Sequence, residues 1–212
     1  ELLLEMVIRG HEVYAIGPEN GYEGELKKLG VSFLRLSFRR HTANPFHGLL
    51  LLLRLLRIMN EVKPDLYFGY TFKPAAYGSV AAFLCGVKKR YIMATGLDSL
   101  FIKKKHGKMP LKHTARLLCK IGFYCSTRVF FQNRDDRSDM LKLKLLNRRK
   151  GLVIKGPGVN LDYYRPCPIP KRQIFLFAGS LSRDKGVCEY IQAAAMLKVH
   201  NPEVQCWIVR AM

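Results

Sequence analysis

The feature that constrains this chain most is a regular alternation between short apolar runs and longer amphipathic segments. Runs rich in Val, Ile, Phe and Tyr predict strands near 12–16, 31–34, 65–69, 89–94, 128–132, 151–155, 174–178 and 204–209. Helices are predicted at about 1–9, 20–29, 45–62, 74–85, 110–125, 134–146 and 185–199. This alternation is typical of an α/β fold with a doubly wound parallel sheet and right-handed crossovers. Because ligands of such sheets bind at the carboxyl ends of the strands, function is expected in the loops that follow them.

A change in composition after residue 155 predicts a domain boundary. The stretch GPGVNLDYYRPCPIPKRQ holds four prolines and shows little periodicity, and a new βα unit follows it. We therefore expect a Rossmann-like domain over 1–160, a linker over 161–172 and the start of a second Rossmann-like domain over 173–212. The chain opens inside a predicted helix and closes at the end of a predicted strand. We expect a fragment of a longer protein, with the first strand of the first domain missing.

The chain is strongly basic, which points to an anionic partner. It carries 36 Lys and Arg against 16 Asp and Glu, a formal net charge of +20. Eighteen of the basic residues, and only four Asp, lie between Lys88 and Lys150. There the run LFIKKKHGKMPLKH mixes charge with apolar residues, which suits anionic lipid, although a solvated loop and helix face is the alternative. A nucleic-acid-binding module is a second hypothesis, but neither interleaved strand aromatics nor a recognition-helix signature accompanies the charge.

The spacing of the cysteines and the length of the Leu-rich segment argue against a metal-binding protein and against a membrane-spanning helix. The six cysteines form no C-x-x-C pair and no Cys/His pattern at metal spacing, which indicates reduced thiols in a cytosolic protein and no metal site. The Leu-rich segment 45–62 is too short to cross a bilayer, which takes roughly 20 apolar residues. It favours a helix buried against the sheet over one that lies in a membrane interface.

The stretch FLFAGSLSRDKG, 175–186, suggests a phosphate site. Ile174–Ala178 predicts a buried parallel strand, and Gly179 allows a sharp turn and the close approach of a ligand. The next helix begins near residues 184–186, so its free N–H groups and dipole point back at the strand end. Lys185 adds a positive charge that would stabilise a departing diphosphate. The alternative is that Lys185 is only a solvent-facing residue of a first helical turn.

Seven motifs in order resemble the family 4 glycosyltransferases of the GT-B fold. They are RGHEVYAIGP, SFRRHTANP, KPDLYFGYTFKP, ATGLDSLF, VFFQNRDD, GPGVNLDYYRP and GSLSRDKG, and they cover essentially the whole chain. The likeness is greatest to bacterial enzymes that build capsule, O-antigen or glycan chains on a polyprenyl diphosphate. It implies two Rossmann-like halves facing across a cleft, with the acceptor on the N-terminal half and a nucleotide diphosphate sugar on the C-terminal half. Transfer in this family retains the anomeric configuration and needs no bound metal.

The resemblance also assigns candidate site residues on the donor side. Lys185 corresponds to the catalytic lysine that stabilises the diphosphate, and Gly158, Gly179, Ser180 and Arg183 correspond to donor-binding positions. The family usually has arginine directly after the glycine of this turn, where this chain has Ser180. Arg183 could substitute for it, or the lost contact could leave a catalytically impaired protein.

On the acceptor side the resemblance points to the loops after three strands. Thr95 and Gly96 occupy a loop that often carries a catalytically important histidine in relatives, and no histidine is present here. Lys73 and Asn133 are expected to end neighbouring strands and to face the same cleft. An N-cap or a solvent-exposed residue is the alternative for each.

Together these features predict a retaining glycosyltransferase that moves a sugar from a nucleotide diphosphate sugar, expected to be a UDP-sugar, to a polyprenyl-diphosphate-linked glycan. We expect it to be cytoplasmic and peripheral on the inner face of the membrane, to contact anionic lipid, and to need neither a cofactor nor nucleic acid. The glycine-rich loop and the paired glutamates of the family would lie outside residues 1–212, so the fragment alone is expected to be inactive. A dinucleotide-binding oxidoreductase is a further alternative, and it would require G-x-G-x-x-G after the first strand.

Overall fold

The computed structural model describes residues 1–19, 21–37, 45–95, 109–156, 158–168 and 171–209. The helices are α1 (Leu2–Ile8), α2 (Glu23–Lys28), α3 (Pro45–Val62), α4 (Phe72–Leu84), α5 (Met109–Cys125), α6 (Arg134–Lys142) and α7 (Val187–His200). The strands are β1 (Tyr14–Gly17), β2 (Ser32–Arg35), β3 (Leu66–Tyr70), β4 (Lys89–Ala94), β5 (Arg128–Phe131), β6 (Gly151–Val153), β7 (Ile174–Ala178) and β8 (Gln205–Val209). Each predicted strand and helix is therefore present, with shifts of a few residues at the ends.

Every strand pair in the described chain is parallel, as the alternation predicts. β1 pairs with β2, and β7 pairs with β8. The largest sheet has four strands in the order β3-β4-β5-β6. Because these neighbouring strands pair in parallel, the carboxyl ends of β3, β4 and β5 lie side by side along one edge. That edge is where a ligand of a parallel α/β fold is expected.

The core of the first part of the chain forms around β4 and β5. Val129 and Phe131 are fully buried, and Ile92 is buried almost as completely. Phe123 of α5 meets Phe131 edge-on, with ring centroids 6.3 Å apart. Helices lie over these strands, so alternate residues cannot be polar, and both strands are apolar along most of their length.

Helix α4 packs closely on β3, since a β-carbon on Gly69 would lie 2.7 Å from the Cα of Ala75, and its inward face is made of small residues. Ala75, Ala76, Ala81 and Ala82 are all buried. Tyr67 of β3 packs beneath this helix and donates a hydrogen bond from its hydroxyl to the Pro74 carbonyl oxygen at 2.6 Å. Burial raises the pKa of the Tyr67 hydroxyl, because the charged phenolate would lose its hydration. Larger residues in α4 would push it away from the strand-end loop that it follows.

Some basic residues between Lys88 and Lys150 stabilise the fold by hydrogen bonds to backbone carbonyls. Arg90 donates to the Cys125 carbonyl at 2.5 Å, and Lys150 donates to the Ser126 carbonyl at 2.7 Å. Arg137 donates to the Gly151 carbonyl at 3.0 Å. These cations stabilise backbone carbonyls at loop and helix ends, so they are not all available to an anionic partner. The basic run at 103–108 lies outside the described residues.

The chain forms two compact units, Glu1–Gly156 and Pro157–Met212. The division comes slightly before residue 160, where composition predicts the end of the first domain, and the predicted linker over 161–172 lies inside the second unit. The assignment of the units as acceptor and donor domains stays a prediction. Within the described ranges, no helix is both long enough and apolar enough to cross a bilayer.

The strand predicted at Ile174–Ala178 is present and pairs in parallel, but the prediction that it is buried is wrong. Phe175 is 47% exposed and Leu176 is 56% exposed. In the described part of the second unit, two strands and α7 provide the packing, which is too little material to cover both faces of the sheet. Tyr190 of α7 ties the layers together, because its hydroxyl lies 3.0 Å from the Phe175 carbonyl and 2.9 Å from the Trp207 carbonyl.

Candidate functional site

The turn after β7 begins where sheet pairing ends. The Gly179 N–H still donates to the Val209 carbonyl at 3.1 Å, and the chain then turns away through Ser180. A short 3-10 helix follows over Arg183–Lys185, and Gly186, the N-cap of α7, lies in the left-handed region with φ 82°. Glycine is favoured at position 186 because residues with a β-carbon are strained at this φ. A β-carbon on Gly179 would meet only a Phe177 ring atom at 3.9 Å, so a ligand can approach that backbone closely.

The charged groups of this turn are arranged at the amino end of α7. Arg183 and Lys185 are both exposed, and Lys185 immediately precedes Gly186. The first N–H groups of a helix lack intrahelical partners and carry the positive end of the helix dipole, which favours an anion. Glu189 lies in the first turn of α7 as well, so an anion bound here would share the helix end with a carboxylate. The turn can therefore hold a phosphate group, with Lys185 as its nearest cation in sequence.

Gly158 lies in a different segment of the chain from the β7–α7 turn, before β7 begins. It is exposed, with φ 70°, in the segment that follows the first unit. In the described part of the chain it makes no hydrogen bond to the β7–α7 turn. The donor-binding roles of Gly158, Gly179, Ser180, Arg183 and Lys185 all stay predictions.

The acceptor-side candidates do lie along one edge of the four-stranded sheet. Lys73 follows β3, Thr95 follows β4, and Asn133 follows β5. The prediction that the strands before Lys73 and Asn133 are neighbours is wrong, because β4 lies between them. The fourth candidate, Gly96, lies outside the described residues.

Thr95 lines a pocket at this edge, together with a residue that the sequence did not identify. That residue is Thr71, which follows β3 directly and precedes α4. The remaining lining residues are Ala75, Ala76, Ile92, Met93, Ala94, Cys119 and Phe123. Among the lining residues, only the two threonines carry hydroxyl groups. The pocket is small, with about 10 Å³ of free volume, and its lining surface is almost entirely apolar.

Thr71 has an unusual backbone. Its φ is 66° and its ψ is 165°, a region that is essentially restricted to glycine and costs roughly 1–3 kcal/mol for other residues. Strain of this kind persists only where the surrounding structure imposes it, and such positions cluster at functional sites. The stretch GYTFKP marks the loop in the sequence, but a threonine gives no signal that φ is positive.

Lys73 and Asn133 occupy helix starts. Lys73 lies in the first turn of α4, because that helix begins at Phe72, slightly earlier than predicted. It is half-buried, and burial lowers the pKa of its ammonium group. Asn133 is the N-cap of α6: its Oδ1 accepts a hydrogen bond from the Asp136 N–H at 2.7 Å. The acceptor roles of Lys73, Thr95, Gly96 and Asn133 stay predictions.

Across the described ranges, no group of three or more His, Cys, Asp and Glu side chains is placed to hold a metal ion. The polar groups at both strand edges include hydroxyls, ammonium and guanidinium groups and backbone N–H groups, together with the Asn133 amide and the Glu189 carboxylate. These are donors suited to phosphate and sugar oxygens.

The sequence pattern described as glycosyl transferase 4-like matches residues 2–133, which is more than half of the chain. The match includes the whole sheet edge that carries Thr71, Thr95 and Asn133. The chain belongs to the glycosyl transferase 4-like family. The resemblance inferred from the seven motifs is thereby confirmed.

One curated protein and two solved structures are similar to this glycosyl transferase 4-like chain. It is 26% identical over 204 residues to the N,N'-diacetylbacillosaminyl-diphospho-undecaprenol alpha-1,3-N-acetylgalactosaminyltransferase of Campylobacter jejuni, covering 90% of this chain and 54% of that protein. Anabaena Alr3699/HepE, solved in complex with UDP and glucose, has a TM-score of 0.66 at 16% identity, covering 100% of this chain and 56% of that one. A glycosyltransferase from Rickettsia africae has a TM-score of 0.62 at 17% identity, covering 98% of this chain and 62% of that one.

The two structural likenesses show the fold, and they confirm the predicted GT-B type of α/β architecture. The glycosyl transferase 4-like chain spans about half the length of the curated relative that it matches, at 54%. The solved structures are likewise longer, since the chain covers 56% and 62% of them.

Proposed function

We propose that this chain belongs to a retaining glycosyltransferase that moves a sugar from a UDP-sugar to a polyprenyl-diphosphate-linked glycan. The single observation that carries the proposal is the family match over residues 2–133, which contains the strand edge with the threonine-lined pocket. The acceptor class is supported by the Campylobacter jejuni relative, whose name specifies an undecaprenol diphosphate acceptor. The donor class is supported by HepE, which was solved with UDP and glucose.

In this proposal the β7–α7 turn binds the diphosphate of the donor. The bond between the anomeric carbon and the β-phosphate oxygen breaks, and the acceptor hydroxyl forms the new bond to the same carbon. The diphosphate leaves with increased negative charge, while the hydroxyl proton passes to it or to solvent. Lys185 and the first N–H groups of α7 stabilise that charge, and Arg183 takes the role that arginine has at position 180 in relatives.

The sheet edge of the first unit binds the acceptor. Thr71 and Thr95 would hydrogen-bond the acceptor sugar at the mouth of the pocket, because the pocket itself, at about 10 Å³, is too small to hold a sugar ring. Lys73 lies in the first turn of α4, two residues beyond Thr71, where its ammonium group could approach an acceptor phosphate. The enzyme works without a metal or cofactor at the cytoplasmic face of the membrane, where a polyprenyl-linked acceptor is anchored.

Because residues 1–212 alone are expected to be inactive, the proposal is tested with the complete enzyme, by transfer from UDP-sugars to a polyprenyl-diphosphate-linked acceptor measured as UDP release and as product mass. Lys185→Met is expected to lower kcat by about a hundredfold or more, the usual loss when one donor to a developing negative charge is removed. Lys198→Met is the matched control, since this lysine lies in the last turn of the same helix. Its distance from the amino end of α7 is about 17 Å at 1.5 Å per residue, so kcat should be unchanged.

Two results would count against the proposal. Unchanged transfer by Lys185→Met would remove the diphosphate role of this turn. Absence of transfer from every UDP-sugar, with folding and donor binding intact, would favour the catalytically impaired alternative, in which Ser180 leaves the site without its usual arginine. Inversion of the anomeric configuration in the product would contradict only the retaining mechanism.

A further inference from the structure

The pocket at the Thr71 and Thr95 edge leads from the surface toward the core of the first unit. Its free volume is about 10 Å³. Thr71 is exposed and Thr95 is half-buried, so these two residues mark its mouth. The lining residues behind them are buried, with Ile92 at 1% exposed, Cys119 at 2% and Ala94 at 4%. The pocket is therefore a narrow recess in a packed core, and its entrance lies at the strand edge.

Close packing fixes the size of this pocket. A β-carbon on Gly69 of β3 would lie 2.7 Å from the Cα of Ala75. One on Gly122 of α5 would also lie 2.7 Å from a Cα atom, that of Ala76. The turn of α4 that lines the pocket therefore touches both β3 and α5, so it cannot shift toward either. Because packed interiors deform little, the pocket should keep its size when a ligand enters.

A small apolar group suits this pocket better than water does. A site for one buried water needs roughly 10–15 Å³ and two to four polar partners. Here the buried lining consists of apolar side chains and the Cys119 thiol. Burial raises the pKa of that thiol to about 12, so it is neutral and behaves as a small apolar group. A methyl group is the smallest apolar group that a sugar carries, and it is close to water in size.

We propose that this pocket binds a methyl group of the acceptor sugar and makes the enzyme selective for acceptors that carry one. Two groups supply such a methyl: the N-acetyl substituent of an acetamido sugar, and carbon 6 of a 6-deoxy sugar. Either methyl projects from the ring, so it can enter the pocket while the ring stays outside. Thr71 and Thr95, at the mouth, hydrogen-bond the polar atoms beside that methyl.

The selectivity rests on the proposed function in one respect, since it takes the first unit as the acceptor side of a glycosyltransferase. It adds the class of acceptor sugar, which a polyprenyl diphosphate does not specify. A fully hydroxylated sugar carries no methyl group. Its hydroxyl groups would lose their hydration in the apolar pocket without gaining hydrogen-bond partners. Such acceptors are therefore expected to be poor substrates.

Acceptors that differ by one methyl group test the proposal with the complete enzyme. The reference is a polyprenyl-diphosphate-linked acetamido sugar that is also 6-deoxy. Its kcat/KM is compared with those of two analogues, one with N-formyl in place of N-acetyl and one with a hydroxyl on carbon 6. One change should lower kcat/KM by roughly 10–200-fold, the usual effect of one methyl group in a hydrophobic pocket, and thereby identify the bound methyl. No loss from either change, or equal losses from both, would overturn the proposal.

A pocket variant gives a second test, in which the preference changes rather than disappears. Replacing the identified methyl by ethyl should make the acceptor poor for the unaltered enzyme. Cys119→Ala enlarges the pocket, and it should raise the ratio of kcat/KM for ethyl over methyl by about tenfold or more. Cys125→Ala is the matched control, because Cys125 is also a buried cysteine of α5 but is not among the lining residues. A change of preference in both variants, or in neither, would overturn the proposal.

Acceptor binding separates this inference from the proposed function. Calorimetric titration of the complete enzyme with the reference acceptor and its two analogues measures Kd without any transfer. If loss of one methyl raises Kd by about tenfold or more but no sugar is transferred, the proposed function fails and the selectivity of the pocket stands. If sugar is transferred with equal kcat/KM to acceptors with and without the methyl, the proposed function stands and this inference fails. Absence of both transfer and methyl-dependent binding would overturn both.

Discussion

Arg90 and Lys150 meet at the carboxyl end of α5. Arg90 donates to the Cys125 carbonyl at 2.5 Å, and Lys150 donates to the Tyr124 and Ser126 carbonyls at 2.5 and 2.7 Å. The last carbonyls of a helix lack intrahelical partners and carry partial negative charge, so two cations can converge there. Burial, and secondarily the nearby Arg90, lowers the pKa of the Lys150 ammonium group. These two basic residues therefore support the fold, even though the sequence groups them with a basic surface.

Lys150→Met should lower the free energy of unfolding by about 1–3 kcal/mol, because it leaves half-buried carbonyls without a charged donor. The measurement is urea or thermal unfolding followed by circular dichroism. Lys142→Met is the control, since that lysine is 75% exposed and only approaches Asp139 at 3.5 Å. It should change stability by less than about 0.5 kcal/mol. Similar effects from both substitutions would mean that water replaces the Lys150 ammonium without cost.

Thr71→Gly should stabilise the protein. Relief of the strained backbone contributes roughly 1–3 kcal/mol, and the extra freedom of glycine in the unfolded chain costs about 0.5–1 kcal/mol. The expected net gain is therefore about 0.5–2 kcal/mol. Thr127→Gly provides the contrast, because the Thr127 hydroxyl accepts from the Arg90 N–H at 3.0 Å and that variant should lose stability. If Thr71 contacts the acceptor, Thr71→Gly will also transfer sugar more slowly, although it unfolds at a higher temperature.

Gly122→Ala tests the close approach of α5 to α4. An added β-carbon would lie 2.7 Å from the Cα of Ala76, so the helices must separate, at a cost of about 1–3 kcal/mol. The better helix propensity of alanine offsets up to about 1 kcal/mol of this. Gly24→Ala in α2 is the matched control, since nothing lies within 4 Å of the added carbon there and only the propensity gain remains. The change in the free energy of unfolding should have opposite signs for the two variants. A stabilised Gly122→Ala would show that α4 and α5 can move apart without cost.

Cysteine alkylation should distinguish buried from exposed thiols. Cys119 is buried, and burial raises the pKa of its thiol to about 12, so very little thiolate is present near pH 8. Cys167 is exposed. Brief treatment with iodoacetamide near pH 8, followed by mass spectrometry, should modify Cys167 first and leave Cys119 unmodified until denaturant is added. Early labelling of Cys119 would place it at an open surface and contradict the closed floor of the Thr71 and Thr95 pocket.

The elements of the fold were predictable because their signals are local. Alternating apolar runs and amphipathic segments depend only on the period of the backbone, so strands and helices could be placed before any contact was known. The parallel arrangement followed because a helix separates the two strands of every pair, from β1 and β2 to β7 and β8. The motifs of the family were equally local, which is why residues 2–133 could be assigned from short stretches in order.

The sequence by itself determined the α/β alternation, the family and the strand-end loops in which the candidate residues lie. Only the tertiary structure decided that Thr71 is strained and shares a pocket with Thr95, that Asn133 caps α6, and that β7 is exposed. It also decided that α3 keeps an apolar face in solvent. The physical reason is that φ, burial and hydrogen-bond partners at these positions depend on groups that are distant in the chain, and the period of a segment carries no information about them.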